Sequence, residues 1–121
     1  MQFAKENQPP NAISRYDANS IWIRDQQHIG SLAIAQTEVL SDWRCRSVDD
    51  LSPALIQPLL DLKPQVIVLA TGERPVFPQA TLMQQVMLAG VGIEVMNDGA
   101  AVRTFNVLLG EARPSVLALV R

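Results

Sequence analysis

The sequence predicts a single small α/β domain, a mixed β-sheet covered by two or three helices. Three observations predict it. Val66-Ile67-Val68-Leu69-Ala70 is an unbroken apolar run of strand length, which suits a strand buried on both faces. A loop, a helix-patterned stretch and a second strand-like run at residues 93–96 follow it. That order makes parallel neighbours joined by a right-handed crossover. The whole chain, at 121 residues, is the size of one domain around one core.

Residues 1–12 are polar, contain Pro9-Pro10-Asn11, and read as a flexible arm ahead of a domain over 13–121. Ser20-Ile21-Trp22-Ile23 is a short strand-like run, Asp25-Gln26-Gln27 is turn-like, and residues 28–35 return as a second run with Gly30 near its start. Together they predict a hairpin, although no Asn-Gly marks the turn. Trp43 falls in a less regular stretch. Ser52-Pro53 resembles an N-cap followed by proline at the first helical position. Leu55, Ile56, Leu59 and Leu60 then recur at helical spacing. Pro58 removes a donor inside that helix, which predicts a short or kinked one, and Lys63-Pro64 ends it.

After the strand at residues 66–70 comes Thr71-Gly72 and a proline-bearing loop, residues 73–78. Residues 81–89 predict a helix with Leu82, Met83, Val86 and Met87 on its inner face. Asn97-Asp98-Gly99 opens the last helix, where Ala101, Val102, Phe105, Leu108 and Leu109 form an apolar stripe. Gly110 is a natural C-cap, and Pro114 starts a final strand over 115–120. Val68, Val86, Val95, Phe105 and Leu109 are expected to be buried together.

Hydrophobic residues make up 48% of the chain and charged residues 18%, a globular balance. The net charge is -2 and the pI about 5.2, with no basic run, which argues against nucleic-acid binding. Cys45 is the only cysteine, so no intrachain disulfide forms, as suits a reducing cytosol. The N-terminal MQFAKENQPP reads as neither a signal nor a transit peptide, and the longest apolar run is too short to span a bilayer. A cytoplasmic protein without membrane insertion is expected.

The candidate site is topological. Ligands of open α/β sheets sit beyond the carboxyl ends of the strands. Two such ends are Thr71-Gly72-Glu73-Arg74 and Asn97-Asp98-Gly99, the second at a helix N-terminus that favours an anion unless Asp98 already caps it. Gly99, Arg103, Asn106 and Gly110, spaced by four, three and four, form one line along the last helix. That line is either a polar groove or a set of ties to neighbouring carbonyls, with Glu73 and Asp98 as the expected partners of Arg103. The candidate ligand- or partner-binding residues are therefore Thr71, Gly72, Glu73, Arg74, Asn97, Asp98, Arg103 and Asn106. No catalytic set is readable. His28 stands alone, and neither it nor Cys45 has a close-spaced metal-ligand partner, so no metal and no cofactor is expected. Arg44 and Arg46 could lower the thiol pKa of Cys45, although an ordinary thiol is the simpler reading. Thr71-Gly72-Glu73 lacks the lysine and glycine spacing of a phosphate loop.

The run VIVLATGE and the run GIEVMNDGAAVRTFNVLLGEARPSVLALV resemble a small family of domains of unknown function. Its best-known relatives are a mitochondrial complex I assembly factor, the third in its series, and a vertebrate adipogenesis-associated protein. The resemblance covers roughly residues 13–120 and is strongest at Arg103-Thr104-Phe105-Asn106 with Glu111-Ala112-Arg113. The family usually shows tyrosine where Phe105 stands, cysteine where Val102 stands and glycine where Ala112 stands. It favours Gly-Thr-Gly in place of Ala70-Thr71-Gly72. The resemblance implies a three-layer fold, with a central mixed sheet, helices on one side and a smaller β-layer on the other. It implies no known reaction, and the assembly-factor relative suggests a binding role. The leading expectation is thus a non-enzymatic interaction module with a protein partner or a second copy of itself. The alternative is a small-molecule or anion-binding protein, or an enzyme, that uses the strand-end pocket.

Overall fold

A computed structural model describes residues 11–121. Most of the expected arm lies outside that range. Asn11, which the sequence reading assigns to the arm, is fully buried, and its amide donates to the carbonyls of Ala35 and Glu38 at 2.7 and 3.2 Å.

The chain then forms β1 (Ile13–Tyr16), β2 (Ser20–Ile23), β3 (Gln26–Ile29), β4 (Leu32–Ala35) and β5 (Val39–Leu40). A short 3-10 turn at Val48–Asp50 precedes α1 (Pro53–Leu60). There follow β6 (Val66–Ala70), α2 (Ala80–Leu88), β7 (Gly92–Met96), α3 (Asp98–Gly110) and β8 (Ser115–Leu119). The first three strands make an antiparallel meander. The other five make a mixed sheet in the order β5-β4-β8-β6-β7, in which β7, β6 and β8 are parallel. β4 runs antiparallel to β8.

The expected second run of the hairpin is two strands. Gly30, at φ 85°, breaks it, so that β3 pairs with β2 while β4 joins the large sheet beside β8. The β2–β3 turn is Arg24-Asp25, both at positive φ, which a two-residue type I′ connection requires. β1 carries no strand signal in its sequence, because Ile13 is the one buried residue of Ile13-Ser14-Arg15-Tyr16.

Pleating sends alternate residues of β6 to opposite faces. Val68 and Ala70 join Ile34, Leu117 and Leu119 beneath α3 and the meander, where Ile21, Ile23, Val102, Phe105 and Leu109 pack. Ile67 and Leu69 join Val116 and Ala118 beneath α1 and α2, with Ile56, Leu59, Leu82 and Val86. The expected three layers are present, and α3 adds a helix to the meander's side. The reason is directional. The crossover through α2 leads from β6 outward to β7, whereas the crossover through α3 leads back past β6 to β8, and one hand of crossover then places the two helices on opposite faces. The sheet therefore divides the expected single core. Val68, Phe105 and Leu109 lie on one face, while Val86 and half-buried Val95 lie on the other.

Local chemistry explains the helix ends. The Ser52 hydroxyl accepts the Leu55 N–H at 3.2 Å, and Pro53 stands in the first turn. Pro58 sits inside the helix, which is only eight residues long. In α2, Met87 turns outward instead of inward. Gly110 is the last residue of α3 and not its cap. Ala112 takes the left-handed position at φ 55°, where its N–H reaches Leu109 and the Arg113 N–H reaches Leu108, a Schellman closure.

Candidate functional site

The strand ends open onto a cleft of about 510 Å³. Its walls come from the β1–β2 turn, the loop after β6, the start of α3 and the residue after β8. At its centre Asp98 joins these elements. One carboxylate oxygen accepts the Gly72 N–H at 2.9 Å, and the Asp98 N–H returns a bond to the Gly72 carbonyl at 2.8 Å. The other oxygen receives Arg121 Nη2 at 2.9 Å. Arg121 Nη1 reaches the Ser20 carbonyl at 3.2 Å, which ties the meander to the large sheet. Asn97, not Asp98, caps α3: its Oδ1 accepts the Ala100 N–H at 2.9 Å. The carboxylate of Asp98 is thereby free for Gly72 and Arg121.

Gly99 lies directly under Tyr16. A Cβ there would stand 2.7 Å from the Tyr16 hydroxyl and 3.4 Å from Arg103 Nη1, so both groups overhang the first turn of α3. In the β1–β2 turn, Asp17 Oδ1 accepts the N–H groups of Asn19 and Ser20 at 2.9 and 2.8 Å. Those two bonds hold its carboxyl below the ordinary carboxylate range.

Of the residues singled out from sequence, Gly72, Glu73, Asn97, Asp98 and Arg103 line this cleft. Thr71 does not. Its hydroxyl donates to the Arg74 carbonyl at 2.6 Å and accepts the Val76 N–H at 2.9 Å, and it faces a smaller hollow beside Arg46 and Val48. Arg74 is exposed outside the cleft. Asn106 is engaged with β1. It accepts the Ile13 N–H at 2.8 Å and donates to the Ile13 carbonyl at 2.9 Å, away from the ends of β6 and β7 where it was expected. Arg103 pairs with neither expected partner. Asp98 belongs to Arg121, and Arg103 makes no ion pair among the described residues. Tyr16, Asp17, Ala18 and Arg121 were missed. The strand-end rule, applied to the final strand as well, points to Arg121.

Cys45 is buried, its Sγ 3.2 Å from the Ser47 carbonyl. Burial, reinforced by the Asp50 charge, pushes its pKa up to about 11, so Arg44 and Arg46 do not make it a reactive thiolate. Among the described residues no three His, Cys, Asp or Glu side chains converge as a metal-ligand set.

The profile of a family described as "Protein of unknown function (DUF498/DUF598)" matches residues 13–120. A zebrafish (Danio rerio) protein named NADH dehydrogenase [ubiquinone] 1 alpha subcomplex assembly factor 3 is 29% identical over 118 residues, which are 96% of this chain and 67% of that protein. A protein of Francisella tularensis named 13 kDa major membrane protein is 25% identical over 83 residues, 68% of each chain. Among solved structures, the NMR structure of a Xanthomonas campestris protein is 34% identical at a TM-score of 0.82, covering 90% of this chain and 83% of that one. A Bordetella pertussis protein, described as an Mth938-like domain, is 24% identical at a TM-score of 0.80, covering 93% of this chain and 86% of that one. It shares the fold.

Proposed function

Since the chain belongs to this family of proteins of unknown function, we propose that it is a non-enzymatic docking module that binds another protein during assembly. The observation that carries this reading is the segment between β6 and β7. Val76, Phe77, Met87 and Leu88 all come from it, and Phe77 and Leu88 are 66% and 83% exposed. Large apolar side chains held in water are the anchors that interfaces bury. The naming of a relative as an assembly factor favours a heterologous protein as the occupant over a second copy. A binding role also fits the chemistry of Cys45, since that thiol is buried and protonated near neutral pH.

No helix among the described residues is long and apolar enough to cross a membrane. We place the protein in the cytoplasm, and its net charge of -2 without a basic run argues against a nucleic-acid partner.

The test is affinity capture from the source cell with the wild-type chain and with the double variant Phe77→Ser/Leu88→Ser. Both sites are exposed, so the variant should melt within a few degrees of wild type, while the captured protein is lost. Equal capture by both chains would remove this segment as the docking surface. Light scattering on the purified chain gives the oligomeric state, and a stable dimer closed through this segment would replace the heterologous partner with a second copy.

A further inference from the structure

We propose that the cleft at the carboxyl ends of β6, β7 and β8 binds a small zwitterion, a molecule with one carboxylate and one ammonium group. Its position comes first. The crossovers that leave β6 toward β7 and return to β8 lie on opposite faces, so the chain diverges at this point of the sheet and leaves a crevice. At about 510 Å³ it falls within the range of small-molecule sites.

Its charges come second, and they are separated by element. On the α3 wall, Arg103 is exposed and has no carboxylate partner among the described residues. Its Nη1 and the Tyr16 hydroxyl both overhang Gly99, whose N–H in the first turn has no intrahelical acceptor. Guanidinium, hydroxyl and helix N-terminus together suit one carboxylate. On the other walls stand Glu73, after β6, and Asp17, in the β1–β2 turn. Asp17 spends Oδ1 on the turn, and among the described residues its second oxygen accepts no hydrogen bond. These two suit an ammonium group.

The balance of charge decides between ligand classes. Asp98 and Arg121 neutralise one another, which leaves one cation against two anions around the cleft. Such a rim repels a phosphate dianion and gives a simple carboxylate only half a partner. A zwitterion meets both signs. Arg121 itself is not free for the ligand: its side chain is nine-tenths buried, with Nη1 on the Ser20 carbonyl and Nη2 on Asp98.

The experiment is an amide NMR titration of the full chain with probes used singly: glycine, β-alanine and γ-aminobutyrate, then acetate, ethylammonium and inorganic phosphate. The expected result is a saturable shift of the Gly72 and Gly99 amides with at least one amino acid. Acetate and ethylammonium should bind about tenfold more weakly or worse, and phosphate not at all. Arg103→Gln and Glu73→Gln should each weaken the amino acid about tenfold with melting unchanged. The proposal fails if no amino acid moves those amides saturably. It fails equally if acetate or phosphate binds as tightly as the best amino acid, or if Arg103→Gln leaves affinity intact.

Discussion

Arg121 and Asp98 meet at 2.9 Å with side-chain exposures of only 9% and 14%. Through them the loop after β6, the start of α3, the end of β8 and the start of β2 become one assembly, because Asp98 also holds the Gly72 N–H and Arg121 also holds the Ser20 carbonyl.

Removing one member leaves the other a nearly buried charge without its partner. Arg121→Met should therefore cost about 3 kcal/mol in urea unfolding, near the low end for broken buried pairs because some solvent reaches both groups. Arg121→Lys should cost less, since the charge remains while the second arm to Ser20 is lost. In a double-mutant cycle, Asp98→Asn with Arg121→Met should cost less than the sum of the two single changes. Strict additivity would show the contact to be energetically idle.

Asn106 offers a second test. Its amide satisfies both backbone groups of Ile13, so Asn106→Ala strands a donor and an acceptor beneath the meander. A loss of about 1–3 kcal/mol is expected. Hydrogen exchange should localise it, with Ile21 and Ile23 exchanging faster while β6 and β8 keep their protection.

The end of α3 predicts a gain. Ala112 is held at φ 55°, which a side chain resists, so Ala112→Gly should stabilise by about 1 kcal/mol. Gly110 is helical and a Cβ there meets nothing within 4 Å, so Gly110→Ala should add about 0.5–1 kcal/mol. Together they should raise the melting temperature by several degrees. A fall with either substitution would contradict this closure of the helix.

The thiol predicts a pH dependence. Cys45 has its pKa raised from 9.0 to about 11 in the folded chain, so between those values the unfolded chain gives up a proton that the folded chain keeps. The unfolded state then binds fewer protons, and stability falls as pH rises from about 9 to about 11, by up to about 1.4 kcal/mol per pH unit. Below pH 9 the group contributes no slope. Cys45→Ala should lack this alkaline component when the two unfolding profiles are compared, and neutral-pH alkylation of the native thiol should be slow. Cys45→Ser should leave partner capture intact.

The parts of the fold that were legible in sequence are those where one local rule dominates. β6 reads directly from Val66–Ala70 because both of its faces are buried, and its pairing with β7 follows from the connection between them. The cap at Ser52 and the stripe of α3 are equally local. The rest depends on partners distant in sequence. Ile13 to Tyr16 looks polar until α3 supplies Asn106. Val86 and Val68 look like one core until the returning crossover puts the sheet between them. Half of the candidate site was visible as two strand ends, but Tyr16 and Arg121 enter it from the opposite ends of the domain. Glycine misled at Gly110, where the left-handed position falls two residues later on an alanine. The family's usual glycine at that place has its physical reason here.

Among the described residues β7 ends the large sheet, with one neighbouring strand, and offers the other half of its backbone groups to an extended chain that drifts past. Glu94 stands exposed at the middle of that border. A strand that tries to zip onto it must strip water from a carboxylate, and a second copy paired in antiparallel would set two such charges close together. The same residue that makes the border look unremarkable thus acts as a guard against fibrous stacking. Glu94→Val should leave the monomer folded, yet shorten the lag before thioflavin-positive aggregates form.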